Sequence, residues 1–170
     1  ITEPGAFGAR ELTAALKAEL DRRLPDRGKD LQTILLESIL AIRKGHPAAR
    51  SILRALPKTG EKQGPSAAIT IIRLKDDKME YYSLGDCTLS VKYRDGSVDT
   101  YTNPELVRLD SKVFHYMQQL AAADPNVGSV RRAAALPAIY AEKLANRNLK
   151  NEKDGYWILD LSGAGIPHGT

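Results

Sequence analysis

Cysteine is almost missing from this chain: Cys87 is the single thiol in 170 residues. A disulfide framework is thereby excluded, and the composition fits a reducing compartment. Aromatic residues are also few, with one tryptophan, two phenylalanines and seven tyrosines. They are not interleaved with the basic residues as a single-stranded nucleic-acid surface would need. No apolar run approaches the ~20 residues of a membrane span. The opening ITEPGAFGARELTAAL has no basic stretch leading into an apolar one, so it does not read as a secretory signal. Together these absences predict a cytoplasmic protein with no membrane partner. The first residue is not Met, which adds the expectation of a chain processed or cut from something longer.

Several chemistries are missing as well. There is no Walker sequence and no G-x-S-x-G. GAGIPHG, residues 163–169, is glycine-rich but opens no helix, so it makes a poor phosphate cradle. His46, His115 and His168 form no pair with zinc-ligand spacing. His46 reads as a surface or capping residue and His115 as a boundary residue of a helix. Cys87 has no histidine near it in sequence and reads as a small buried residue.

What is present suits one α+β domain over 1–170 with a sizeable core. Apolar residues make up 42% and the net charge is +4. The densest basic points, Arg22-Arg23 and Arg131-Arg132, fall in helical patterns and read first as solvated faces. A helical layer is predicted over 1–56. Leu12, Leu16 and Leu20 form one stripe, and Asp30 caps a second helix with Leu31, Ile34, Leu35, Ile39 and Ile42 on one face. Leu36 and Leu40 add a second apolar flank, so that helix should be well buried. AARSILRAL suggests a further short helix, and residues 57–66 read as a loop.

At Ala67 the period changes. AAITIIRL, MEYYSL, TLSVKY and SVDTYT predict an antiparallel meander over 67–102, its first strand covered on both faces. Asp95-Gly96 is a hairpin-turn signal. A second helical layer follows over 104–148, with Pro137 expected to kink or divide its latter part. A final strand is predicted over 156–161.

Most carboxylates are explained by turns: Asp76 and Asp77, Asp95, and Asp154. Asp86 admits two readings. In YYSLGDCTLSV it stands between two strands that look buried, at the rim of the sheet. Spacing favours a turn residue; an oxygen ligand for a hard cation is the alternative.

GPSAAITIIRLKDDKMEYYSLGDCTLSVKYRDGS resembles the central segment of the metal-dependent type 2C protein serine/threonine phosphatases, the PPM family. Ser66-Ala67-Ala68, Leu84-Gly85-Asp86 and Asp95-Gly96 match its pattern in order and approximate spacing. NRNLKNEKDGYWILDL resembles a bacterial branch with an Arg-Asn turn before a Gly-Tyr/Phe-Trp strand. The resemblance covers nearly the whole chain. It implies an αββα sandwich, incomplete at both ends, and hydrolysis of phosphoprotein substrates by water activated on Mg²⁺ or Mn²⁺. Asp86, with Gly85 in the same turn, matches the aspartate of an additional, weaker metal position.

The family's first Asp-Gly and its Ser-Asp-Gly and Gly-Asp-Asn motifs are not matched in this chain; Asp95-Gly96 and Asp154-Gly155 sit at hairpin and loop positions. Cys87-Thr88 stands where Ser-Arg is common. Catalytic and substrate-binding residues are therefore unassigned. The expectation is a partial domain needing flanking segments, or a partner chain, to cover its sheet and to act as an enzyme. The alternatives are a catalytically inactive phosphatase-fold binding or regulatory module, and third, a basic nucleic-acid-binding α+β domain using Arg22, Arg23, Arg131 and Arg132.

Overall fold

The computed structural model describes residues 7–59, 64–124 and 136–170. The fold is α+β, with five α-helices and six short strands among the described residues, every strand pair antiparallel.

Helix α1, Ala9–Arg23, buries the predicted stripe of Leu12, Leu16 and Leu20. Helix α2, Leu31–Gly45, starts where Asp30 accepts from the Thr33 backbone N–H at 2.7 Å. Its inner face is Leu31, Ile34, Leu35, Ser38, Ile39 and Ile42. Each apolar side chain sealed there contributes roughly 1.5–3 kcal/mol. Leu36 and Leu40 are 43% and 48% exposed, so the second apolar flank is not covered as expected. One stripe suffices to seat α2 on its neighbours.

Helix α3, Pro47–Thr59, begins one residue after the α2 cap, His46. Pro47 therefore opens a helix as well as following one, as its missing N–H and fixed φ permit. The loop predicted from residue 57 is still helical through Thr59.

The strands are β1 (Ser66–Ala67), β2 (Ile69–Lys75), β3 (Lys78–Leu84), β4 (Thr88–Lys92), β5 (Val98–Thr102) and β6 (Leu159–Asp160). The meander predicted over 67–102 is divided. β2 pairs with β3, β4 pairs with β5, and β1 pairs with β6 rather than with a sequence neighbour. The division falls at Gly85–Cys87, where the chain bends and the ladder stops. Nor is β2 covered on both faces. Ile71 and Arg73 point inward, while Ile72 and Leu74 are 48% and 71% exposed. The two-residue strand period does this directly.

Helix α4, Pro104–Ala123, is capped by Asn103 and buries Leu109 and Val113. Helix α5, Pro137–Asn148, starts at Pro137, a break of the kind expected where a proline divides a helical pattern. Residues 129–135 of the predicted helix lie outside the described residues.

The strand predicted over 156–161 is reduced to β6 and one parallel bridge between Lys150 and Tyr156. The segment after it folds inward. Ile166, in a 3₁₀ turn over Ile166–His168, is buried, and Thr170 exchanges two backbone hydrogen bonds with Ser83 at 2.6 and 3.0 Å. The main core joins α1, α2, Ala49 of α3, the β2–β3 hairpin, and Leu159, Leu161 and Ile166.

Candidate functional site

The bend after β3 is made by Gly85. Its φ of +91° is a conformation that L side chains rarely adopt. A Cβ there would also lie 2.8 Å from the Ala68 Cβ and 3.0 Å from its Cα. Ala68 is the residue where β1 breaks off before β2. Two interruptions in sequence therefore meet in space, and only glycine fits between them.

Asp86 follows at once and is exposed. Asp95 accepts from both the backbone N–H and the hydroxyl of Ser97, as turn aspartates do. Asp86 makes no such bond among the described residues. The backbone of Gly85 shapes the turn, and the neighbouring carboxylate is held at the rim without being used in it.

A separate polar network is buried by the tertiary fold around Lys150 and Asp160. Lys150 and Asp160 are 5% and 7% exposed. The Lys150 ammonium lies 3.5 Å from Asp160 Oδ2 and donates to the Gly64 carbonyl at 3.2 Å. Asp160 also accepts from Asn151 Nδ2 at 3.0 Å, from the Ser162 backbone N–H at 2.9 Å and from the Ser162 hydroxyl at 2.5 Å. Buried charges persist only when paired in this way. Gly155 completes the turn between α5 and β6, because a Cβ on it would sit 1.9 Å from the Leu149 carbonyl oxygen. The segment read as an Arg-Asn turn thus holds itself together largely through Lys150, Asn151 and Asp160.

Tyr156 feels the charge of this network and, least of the groups around it, that of Asp86. Its phenol ionises above the ordinary range, chiefly because it is half-buried; Arg147 opposes the shift, while Asp110, Asp160 and Asp86 add to it. Carboxylates from α4, β6 and the Gly85 bend therefore act on one tyrosine. They do not form a cation cage. Among the described residues, no group of three His, Cys, Asp or Glu side chains could hold a metal ion. A single exposed carboxylate binds Mg²⁺ or Mn²⁺ weakly, so the described residues do not by themselves fit a metal centre.

The other candidates have local partners. Arg22 pairs with Glu19 at 2.7 Å, and Arg23 pairs with Glu19 and Glu37 at 3.1 and 3.0 Å. Arg131 and Arg132 lie outside the described residues. His46 packs against Phe7, with ring centroids 5.6 Å apart, and the His115 ring lies 3.1 Å from the Gln119 side-chain nitrogen. Cys87 is a half-buried free thiol.

Sequence reasoning passed over Arg73. It is buried and ties β2 to the α1–α2 loop through the Asp26 and Lys29 carbonyls at 3.0 and 2.7 Å, with Glu80 as counter-ion. A cation amid β-branched residues was the available signal.

Compared with known proteins, the chain matches no family model, no curated protein and no solved structure. The described fold and site define an α+β protein whose antiparallel hairpins meet at a glycine bend with an exposed acidic lip. Among the described residues, no helix is long and apolar enough to cross a membrane.

Proposed function

We propose that this chain carries the central part of a type 2C-like phosphatase domain, an αββα sandwich that hydrolyses phosphate monoesters of serine and threonine. The observation that supports this most is the Leu84-Gly85-Asp86 bend. Its glycine is required both by φ and by the approach of Ala68, and it delivers one carboxylate to the rim where two hairpins part. In this reading Asp86 would supply one oxygen ligand to Mg²⁺ or Mn²⁺, and the remaining ligands would have to come from outside the described residues. The bound ions would supply an activated water and charge stabilisation at phosphorus.

The test is hydrolysis of para-nitrophenyl phosphate by the intact protein with added Mn²⁺. Activity should vanish with chelator and fall on the order of tenfold or more in Asp86→Ala. A folded protein that shows no Mn²⁺-dependent hydrolysis, or an Asp86→Ala variant as active as the parent, overturns the enzymatic reading. A second reading, a phosphatase-fold binding module, is favoured by Asp86 standing apart from any three-ligand cluster among the described residues. It would be supported by a correctly folded, inactive protein.

A further inference from the structure

A cavity of about 350 Å³ opens beside the Gly85 bend, between the end of β5, the start of α4 and the segment after β6. Its size is at the lower end of small-molecule sites, roughly 300–1,000 Å³, and suits one side-chain-sized group.

Three features of its wall point to one chemistry. Glu105, in the first turn of α4, lines the cavity, and its Oε2 is shut off from solvent with no hydrogen-bond partner among the described residues. A carboxylate oxygen shut off without a donor is costly, so a side-chain rotation that brings it to an incoming N–H group is favoured. Trp157 and His168 also line the cavity, stacked with centroids 3.5 Å apart and planes 9° from parallel. Flat aromatic surface next to a carboxylate favours a planar cation over a compact, strongly hydrated one. Finally, among the described residues no Lys or Arg lines the wall, although the chain carries a net charge of +4. Among those residues, Glu105 is the one acidic side chain of that wall and His168 its one basic group.

We propose that this cavity binds a guanidinium group, its N–H donors on Glu105 and its plane against the Trp157–His168 pair. The inference does not depend on phosphatase activity. The group could be an arginine side chain in a peptide or a free small guanidine.

Trp157 is the chain's single tryptophan, so its fluorescence reads the site directly. The protein is titrated without metal with agmatine, with the capped tripeptide acetyl-Gly-Arg-Gly-amide and with its citrulline counterpart, and binding is checked by calorimetry. A saturable change with a guanidinium probe, and none with the citrulline peptide, is expected. Tighter binding of the tripeptide than of agmatine assigns the site to peptide arginine, and the reverse assigns it to a free guanidine. Glu105→Gln should weaken binding about tenfold, as loss of a charge-assisted hydrogen bond requires, with an unchanged circular dichroism spectrum. His168→Ala, which removes half the stack without touching the carboxylate, should weaken it as well. No saturable response, equal response to citrulline, or full binding by folded Glu105→Gln would overturn the proposal.

Discussion

Gly85 and Asp86 are adjacent, yet they answer to different forces. Gly85 is held by backbone geometry, with φ at +91° and Ala68 too close for a Cβ. Asp86 is exposed and makes no turn bond among the described residues. Their substitutions should separate cleanly. Gly85→Ala meets a backbone penalty of roughly 1–2 kcal/mol plus the overlap with Ala68, so a loss of about 2 kcal/mol or more is expected. Asp86→Ala should stay within about 0.5 kcal/mol of the parent. Urea unfolding midpoints of the two variants check this. A large loss in Asp86→Ala would mean that its carboxylate holds the bend after all.

Among the elements, helix starts carry the most local information. Asp30 receives the Thr33 N–H at 2.7 Å and the Thr33 hydroxyl at 2.9 Å. Those bonds hold its carboxyl below the ordinary range, the backbone bond most of all. The cap therefore stabilises α2 above the usual carboxylate range and fades as pH falls through the lowered value. Asp30→Ala should cost about 1 kcal/mol at neutral pH, and the difference from the parent should shrink in acid, as read by denaturant titration at each pH. Periodicity made the inner faces of α1 and α2 legible, and Asp95-Gly96 marked its hairpin. The exposed flank of Leu36 and Leu40 was not legible, because an apolar residue shows its type in sequence but not whether a neighbour arrives to cover it. Likewise, Pro47 and Pro137 marked helix boundaries without saying on which side the helix would lie.

At the scale of the whole molecule, the segment after β6 is what closes the core. Tyr82 on β3 donates its hydroxyl to the Ile166 carbonyl at 2.5 Å, and Ser83 pairs with Thr170. Burial pushes the Tyr82 phenol up to about 12, against a smaller opposing effect of a backbone bond from Gly169. In the unfolded chain a tyrosine ionises near 10. The stabilisation is therefore complete below about pH 10 and is lost as pH rises through 12, amounting to on the order of 2–3 kcal/mol. Tyr82→Phe should be less sensitive to pH over that window than the parent when stability is followed by urea unfolding. Equal slopes would show that the phenol ionises freely in the folded protein.

By itself the sequence determined an α+β chain: two amphipathic helices in the first third, β-rich segments with turns at Asp76-Asp77 and Asp95-Gly96, and a helix after Pro104. Side-chain period and turn chemistry act over a few residues, so they survive as pattern. Only the tertiary structure decided that the meander splits at Gly85, that Ser66–Ala67 pairs with Leu159–Asp160, and that Lys150 and Asp160 are buried together. It also set Trp157 against His168 and placed Glu105 at the same cavity. Apart from the local split at Gly85, these features join residues distant in the chain or depend on what packs over them. Such choices are made by competition among whole surfaces during packing, and no local spacing records the winner.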